Sequence, residues 1–219
     1  MNVIYQGPAD LPDVIPIFPL EGALLLPRGR MPLNIFEPRY LAMVDHAIRG
    51  ERIIGMIQPD GGMAATRPKL YAVGCAGRVV QFAETGDGRY IVALAGVARF
   101  ELVEELSALT PFRQAKVSYA AFAEDFRVGS GEEDVDRPGV LAALRKFTDA
   151  TGVTFDWENV EQASNEMLVN ALSMLAPFGG REKQALLQAP DLKTRAETLI
   201  ALTEIELARE SAPTQRTLQ

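Results

Sequence analysis

Residues 15–40 read IPIFPLEGALLLPRGRMPLNIFEPRY. An apolar run with strand character opens the stretch, and Pro27-Arg28-Gly29 breaks it. A second extended run, Met31–Phe36, leads to Pro38. Proline fits the first position of a helix, where its missing N–H has no partner to lose. Leu41, Val44 and Ile48 then fall on one helical face, and Gly50 is placed to end the helix. The stretch contains no His, Cys, Ser or Lys and no phosphate loop. It reads as scaffold: strands and one early helix, with no chemistry of its own.

Further strand candidates follow. Ile53–Ile57 is continuously apolar, which suits a strand buried on both faces. Residues 58–70 read as a polar loop. Tyr71–Phe82 and Tyr90–Phe100 are long strand candidates, and the Asp87-Gly88 pair between them is a strong hairpin signal. Phe112–Tyr119 alternates, with Ala115, Val117 and Tyr119 on one face. Ala23–Leu26 reads as a further short extended run, and Ile35 and Phe36 as core residues. Several strands with one inserted helix predict a small, partly closed barrel over residues 1–123.

The composition shifts at 124–138, EDFRVGSGEEDVDRP, whose six carboxylates mark a solvated acidic linker. Beyond it the period becomes helical. Val140, Leu144, Phe147 and Thr151 share a face that Gly152 ends. Ser164 caps a helix whose stripe is Met167, Leu168, Ala171, Leu172 and Leu175. A short helix, Arg181–Gln188, precedes Pro190. Thr194-Arg-Ala-Glu197 has the form of a capping box for the last helix. Residues 139–219 are therefore a helical bundle with a frayed tail. The fold class is α+β.

Of the 219 residues, 47% are hydrophobic and 23% charged, as in a soluble globular protein. No apolar run reaches the ~20 residues that span a bilayer. The amino terminus lacks the pattern of a secretory signal, so a cytoplasmic location is expected. The net charge of −7 disfavours nucleic acid, which is held by clustered Lys and Arg. The single cysteine, Cys75, excludes an internal disulfide and a multi-cysteine zinc site. The single histidine, His46, lies in a helical pattern without catalytic partners. No phosphate-loop or nucleophile-elbow motif occurs. No cofactor, metal ligand or catalytic residue is expected.

IPIFPL through IFEPRY, VGCAGRV at 73–79, GRYIVALAGVARF at 88–100, PFRQAKV at 111–117 and the helical stretch 168–199 resemble the Lon protease amino-terminal family. The similarity is to the LON substrate-binding domain and in particular to its short standalone bacterial members, over about residues 14–208. It implies a PUA-like pseudo-β-barrel followed by a C-terminal helical bundle. It also implies a non-catalytic module for unfolded or apolar polypeptide segments, or for a partner protein. Phe36, Glu37, Arg39 and Tyr40 of the motif, with Met31 and Met63, are the candidate binding residues. Methionine is adaptable at apolar binding surfaces. Glu37 stands where a helix amino terminus favours negative charge. Two other functions remain open: RNA binding by analogy with PUA domains, and an uncharacterised hydrolase.

Overall fold

The structure, a computed structural model, describes residues 4–61, 67–152, 154 and 156–211. β1 (Val14–Pro19) lies between two neighbours, β3 (Ile53–Ile57) in parallel and β8 (Arg113–Ser118) antiparallel. β3 also pairs with β6 (Val73–Glu84), and β6 with β7 (Tyr90–Leu106). The end of β7 reaches β8, so the ladder of five strands closes on itself. β7 spans 17 residues, long enough to serve two neighbours in succession. β2 (Arg30–Ile35) lies outside the ring and, among the described residues, pairs only with the first part of β7. A two-stranded ribbon, Pro59–Asp60 (β4) with Lys69–Leu70 (β5), sits within the 58–70 loop. Met63 lies outside the described residues.

Both faces of β3 are buried, which accounts for its unbroken apolar sequence. Ile53 and Ile57 join Ile15, Ile17, Phe100, Ala115 and Val117 in one core cluster. Ile54 and Met56 join a second, larger cluster that extends through the helices. At Asp87-Gly88 the hairpin turns as predicted: Gly88 has φ +80 and its N–H donates to the Thr85 carbonyl at 3.1 Å. Cys75 is buried on β6.

α1 (Pro38–Arg49) starts at Pro38 and buries Tyr40, Met43, Val44 and Ala47. Ala23–Leu26 is not a strand. Leu24, Leu25 and Leu26 are buried as irregular chain packed on the barrel. Phe36 is not a core residue: it is 62% exposed, whereas the preceding Ile35 is 3% exposed. Alternation at the end of β2 sends one inward and the other out.

The helices follow. α2 (Arg137–Thr151) begins at the Asp136 cap and ends at Gly152, which is left-handed at φ 69. α3 (Trp157–Gln162) is short. α4 (Asn165–Leu175) starts at Ser164, whose hydroxyl accepts from Met167 N–H. Met167, Ala171 and Leu175 of its expected stripe are exposed. Instead α4 turns Glu166, Asn170 and Ser173 inward with Leu168 and Val169. α5 (Gly180–Gln188) leads to α6 (Leu192–Ser211). The cap of α6 is Asp191, which accepts from Thr194 N–H at 2.7 Å, so the box expected at Thr194 lies inside the helix.

Two of the inward polar groups of α4, Asn170 and Glu166, are satisfied by partners distant in sequence. Asn170 donates to the Pro27 carbonyl at 3.2 Å and accepts from Arg195 at 2.9 Å. Glu166 pairs with Arg28. Buried Gln58 accepts from Gly22 N–H at 3.1 Å and donates to the Gly180 carbonyl at 2.9 Å. The acidic stretch 124–138 is not wholly solvated. Asp125 is buried and its carboxylate meets the Arg99 guanidinium at 2.7 Å. A carboxylate facing a buried cation is drawn inward whatever its sequence neighbours are. Arg99 also donates to the Leu187 carbonyl at 3.2 Å and to that of Ala189. It thus caps the end of α5 from within the barrel wall.

Candidate functional site

The IFEPRY turn places its side chains around one cleft. Ile35 closes β2, Phe36 points outward, and Glu37 stands just before α1. The cleft is lined by Phe18, Pro19, Leu20, Leu33, Asn34, Ile35, Phe36, Glu37 and Tyr40, with a volume of about 190 Å3. Small-molecule pockets usually hold about 300–1,000 Å3, so this one suits an apolar side chain better than a cofactor.

Tyr40 is a wall of the cleft. Its ring packs on Phe18 with centroids 4.2 Å apart. Burial is the largest influence on its hydroxyl and raises the pKa, against the opposing charge of Arg39. The hydroxyl therefore remains protonated at neutral pH. Arg39 lies over the Tyr40 ring at 4.5 Å and pairs with Glu37 at 2.8 Å. That pair is exposed, and such pairs contribute little to stability. It gives the cleft a polar rim. Met31 is half-buried on β2 and packs against the larger core cluster.

Phe36, Glu37, Tyr40 and the rim residue Arg39 thus gather at one place. Leu20 and Leu33 also line the cleft. Both stand within the opening stretch, and the period-2 spacing of Met31, Leu33 and Ile35 is the signal that puts Leu33 on a common face. Arg89, from the β6–β7 turn, lies 6.0 Å from the Phe36 ring, and no local motif marks it. The outer edge of β2 borders the cleft and has no strand partner among the described residues. Pro32, in that strand, is typical of an edge.

A second apolar cleft, of about 440 Å3, lies in the bundle. α2 supplies Val140, Ala143, Leu144 and Phe147, α4 supplies Leu172 and Leu175, and α6 supplies Leu199 and Thr203. Among the described residues no three His, Cys, Asp or Glu side chains gather as a metal-holding group. No helix there is long and apolar enough to cross a membrane.

The ring of strands, early helix and following bundle recur in Lon amino-terminal domains. A Lon N-terminal domain protein from Xanthomonas campestris superposes with a TM-score of 0.61 at 22% identity, over 86% of this chain and 97% of that one. The N-terminal domain of a Mycobacterium avium complex Lon protease gives a TM-score of 0.64 at 17% identity, over 87% and 98%. Residues 14–204 match the ATP-dependent protease La (LON) substrate-binding domain, and the chain belongs to that family. Lon protease 2 of Myxococcus xanthus is 27% identical over 208 residues, which are 88% of this chain and 24% of that protein. The Lon protease of Anaeromyxobacter dehalogenans is also 27% identical over 208 residues, covering 88% and 23%. The chain spans about a quarter of the length of these relatives.

Proposed function

We propose that the protein is a non-catalytic recognition module that binds unfolded or apolar polypeptide segments at the cleft between β1, β2 and α1. The observation that carries this reading is Phe36. A large aromatic side chain stands 62% exposed at the mouth of an apolar cleft. Exposed aromatic groups beside apolar pockets are frequent anchors of protein recognition. The unpartnered edge of β2 supports an extended ligand, which can add main-chain hydrogen bonds there while side chains enter the cleft. Membership of a substrate-binding domain family supports the same reading.

Within this proposal Phe36 and Tyr40 form the apolar contact, and Arg39 and Glu37 orient the segment at the rim. Met31 backs the strand that leads into them. The barrel part, residues 1–123, holds the site, and the bundle, 139–219, is joined to it through 124–138. The test is fluorescence anisotropy with a labelled, permanently unfolded polypeptide. Native protein is expected to bind it, and Phe36→Ala to weaken binding at least tenfold without loss of fold. Equal binding by the variant overturns the assignment of the site. No binding by native protein at high micromolar concentration overturns the function.

A further inference from the structure

A third cleft, of about 480 Å3, is bordered by irregular backbone of the barrel. Arg28 and Arg52 are the two non-glycine residues with left-handed backbone among those described, at φ 63 and φ 61. L side chains disfavour that conformation. Both line this cleft, together with Arg78. Two register shifts in the β6–β7 ladder open on it as well. Val80 is skipped on β6 and Val97 on β7. Bulges of this kind re-aim side chains and recur beside functional sites.

The three arginines are not equally committed. Arg28 donates to the Asp125 carbonyl at 2.7 Å and pairs with Glu166. Arg78 uses one nitrogen for the Tyr5 hydroxyl, at 2.7 Å, and for the Glu51 carbonyl, at 3.3 Å. No carboxylate among the described residues pairs with Arg78 or Arg52. The Arg52 side chain is exposed. Asp125, the acid that lines the cleft, is occupied by Arg99. Exposed apolar groups stand around the cleft: Ile4, Val80 and Val128. Unpaired guanidinium forks beside apolar surface are thus kept in a chain of net charge −7.

We propose that this cleft is a second recognition site, which takes an acidic polypeptide segment. Its carboxylates pair with Arg52 and Arg78, and its apolar side chains rest on Val80 and Val128. Planar guanidinium groups match carboxylates in a two-pronged geometry. Free phosphate would use the same forks but leave the apolar rim in water. A nucleic acid strand is held by a longer run of cations than three arginines provide. The site is separate from the Phe36 cleft, which sits at the start of α1, whereas Arg52 follows its end. Twelve residues of helix at about 1.5 Å each put roughly 18 Å between them.

The test uses the full chain and a labelled 15-residue peptide alternating Glu with Leu, beside its twin with Gln for Glu. Arg52→Asn/Arg78→Gln removes both charges, and asparagine tolerates the left-handed backbone. Circular dichroism melting checks that the variant folds. Native protein is expected to bind the Glu peptide, with at least a tenfold loss in the variant, in 0.5 M salt and for the Gln twin. Arg52→Asn alone, at an exposed side chain, is expected to lose at least threefold; this result decides the matter where the double variant does not fold. Phe36→Ala is measured beside them, so that the part of the Glu-peptide binding that belongs to the Phe36 cleft is subtracted. The proposal is overturned by unchanged binding in Arg52→Asn or by equal binding of the Gln twin. Displacement of the peptide by a uridine oligonucleotide at lower concentration also overturns it, in favour of nucleic acid.

Discussion

Arg99 and Asp125 face each other as a two-pronged ion pair inside the protein, with Nη2 2.7 Å from Oδ1 and Nε 2.9 Å from Oδ2. Their side chains are 5% and 8% exposed. Removing one member leaves the other buried and uncompensated, which typically destabilises by about 3–5 kcal/mol. Asp125→Ala and Arg99→Met are each expected to lower stability on that scale. The double variant Arg99→Met/Asp125→Leu is expected to be less damaging than the sum of its parts. Urea denaturation of the three proteins measures this, and strict additivity would show that the pair acts as two separate residues.

Gly96 is required by space. A Cβ there would run into the Leu26 carbonyl oxygen, a backbone group that cannot swing aside. The Gly96 N–H also donates to the Gly29 carbonyl at 2.9 Å. Gly96→Ala is expected to destabilise by about 1–3 kcal/mol, the usual range for overpacking. Gly7→Ala, where a Cβ meets open space, is expected to stay within about 0.5 kcal/mol. Thermal melts of the two variants make the comparison.

Phe36→Ala and Tyr40→Ala separate contact from structure. Phe36 is exposed, so its truncation is expected to change stability by less than about 0.5 kcal/mol. Tyr40 is buried against Phe18, and its truncation is expected to cost about 3–5 kcal/mol, as for a core aromatic. Denaturant midpoints that fall equally in both variants would show that Phe36 is held by packing.

Glu105 links stability to pH. Burial is the largest influence on its carboxyl and raises the pKa, but hydrogen bonds from Arg113 and Arg67, with their charges, prevail. The net shift is downward from the ordinary 4.5. A depressed carboxyl pKa contributes stability that is fully present above the unfolded value and is lost as pH falls through the folded one. The native protein is expected to lose stability below about pH 4.5 more steeply than Glu105→Gln. Urea midpoints between pH 3 and 7 test this, and parallel curves would remove Glu105 from the account.

Cys75 is expected to be chemically silent in the native state. It is buried, and burial followed by the charge of Asp125 pushes its thiol well above the ordinary range. Thiolate is the reactive form. A disulfide reagent at pH 8 is expected to label the protein only in urea. Rapid labelling without denaturant would show that β6 opens in the folded protein.

The local features were legible where neighbours in sequence decide them. Pro38, the Asp87-Gly88 turn, the Ser164 cap and Gly152 act through residues a few positions away. Features decided from far away were not. Asp125 sits in a visibly acidic run, yet its burial is set by Arg99, 26 residues earlier. Asn170 turns inward because of the Pro27 carbonyl, 143 residues away. Leu24–Leu26 carries strand-like residues but no ladder, because barrel packing buries it without one. In the candidate site, the motif marked the place, while the outward direction of Phe36 depended on the register of β2 against β7.

The reach of Arg99 also bears on how the chain comes into being. A ribosome delivers the strands first, and the carbonyls that receive this guanidinium belong to residues 88 and 90 positions later. Until α5 emerges, the wall of strands carries a cation with only part of its acceptors, the Asp125 carboxylate. The barrel is thus finished by the helices made after it, and a fragment cut at residue 123 would lack both the Asp125 carboxylate and the end of α5.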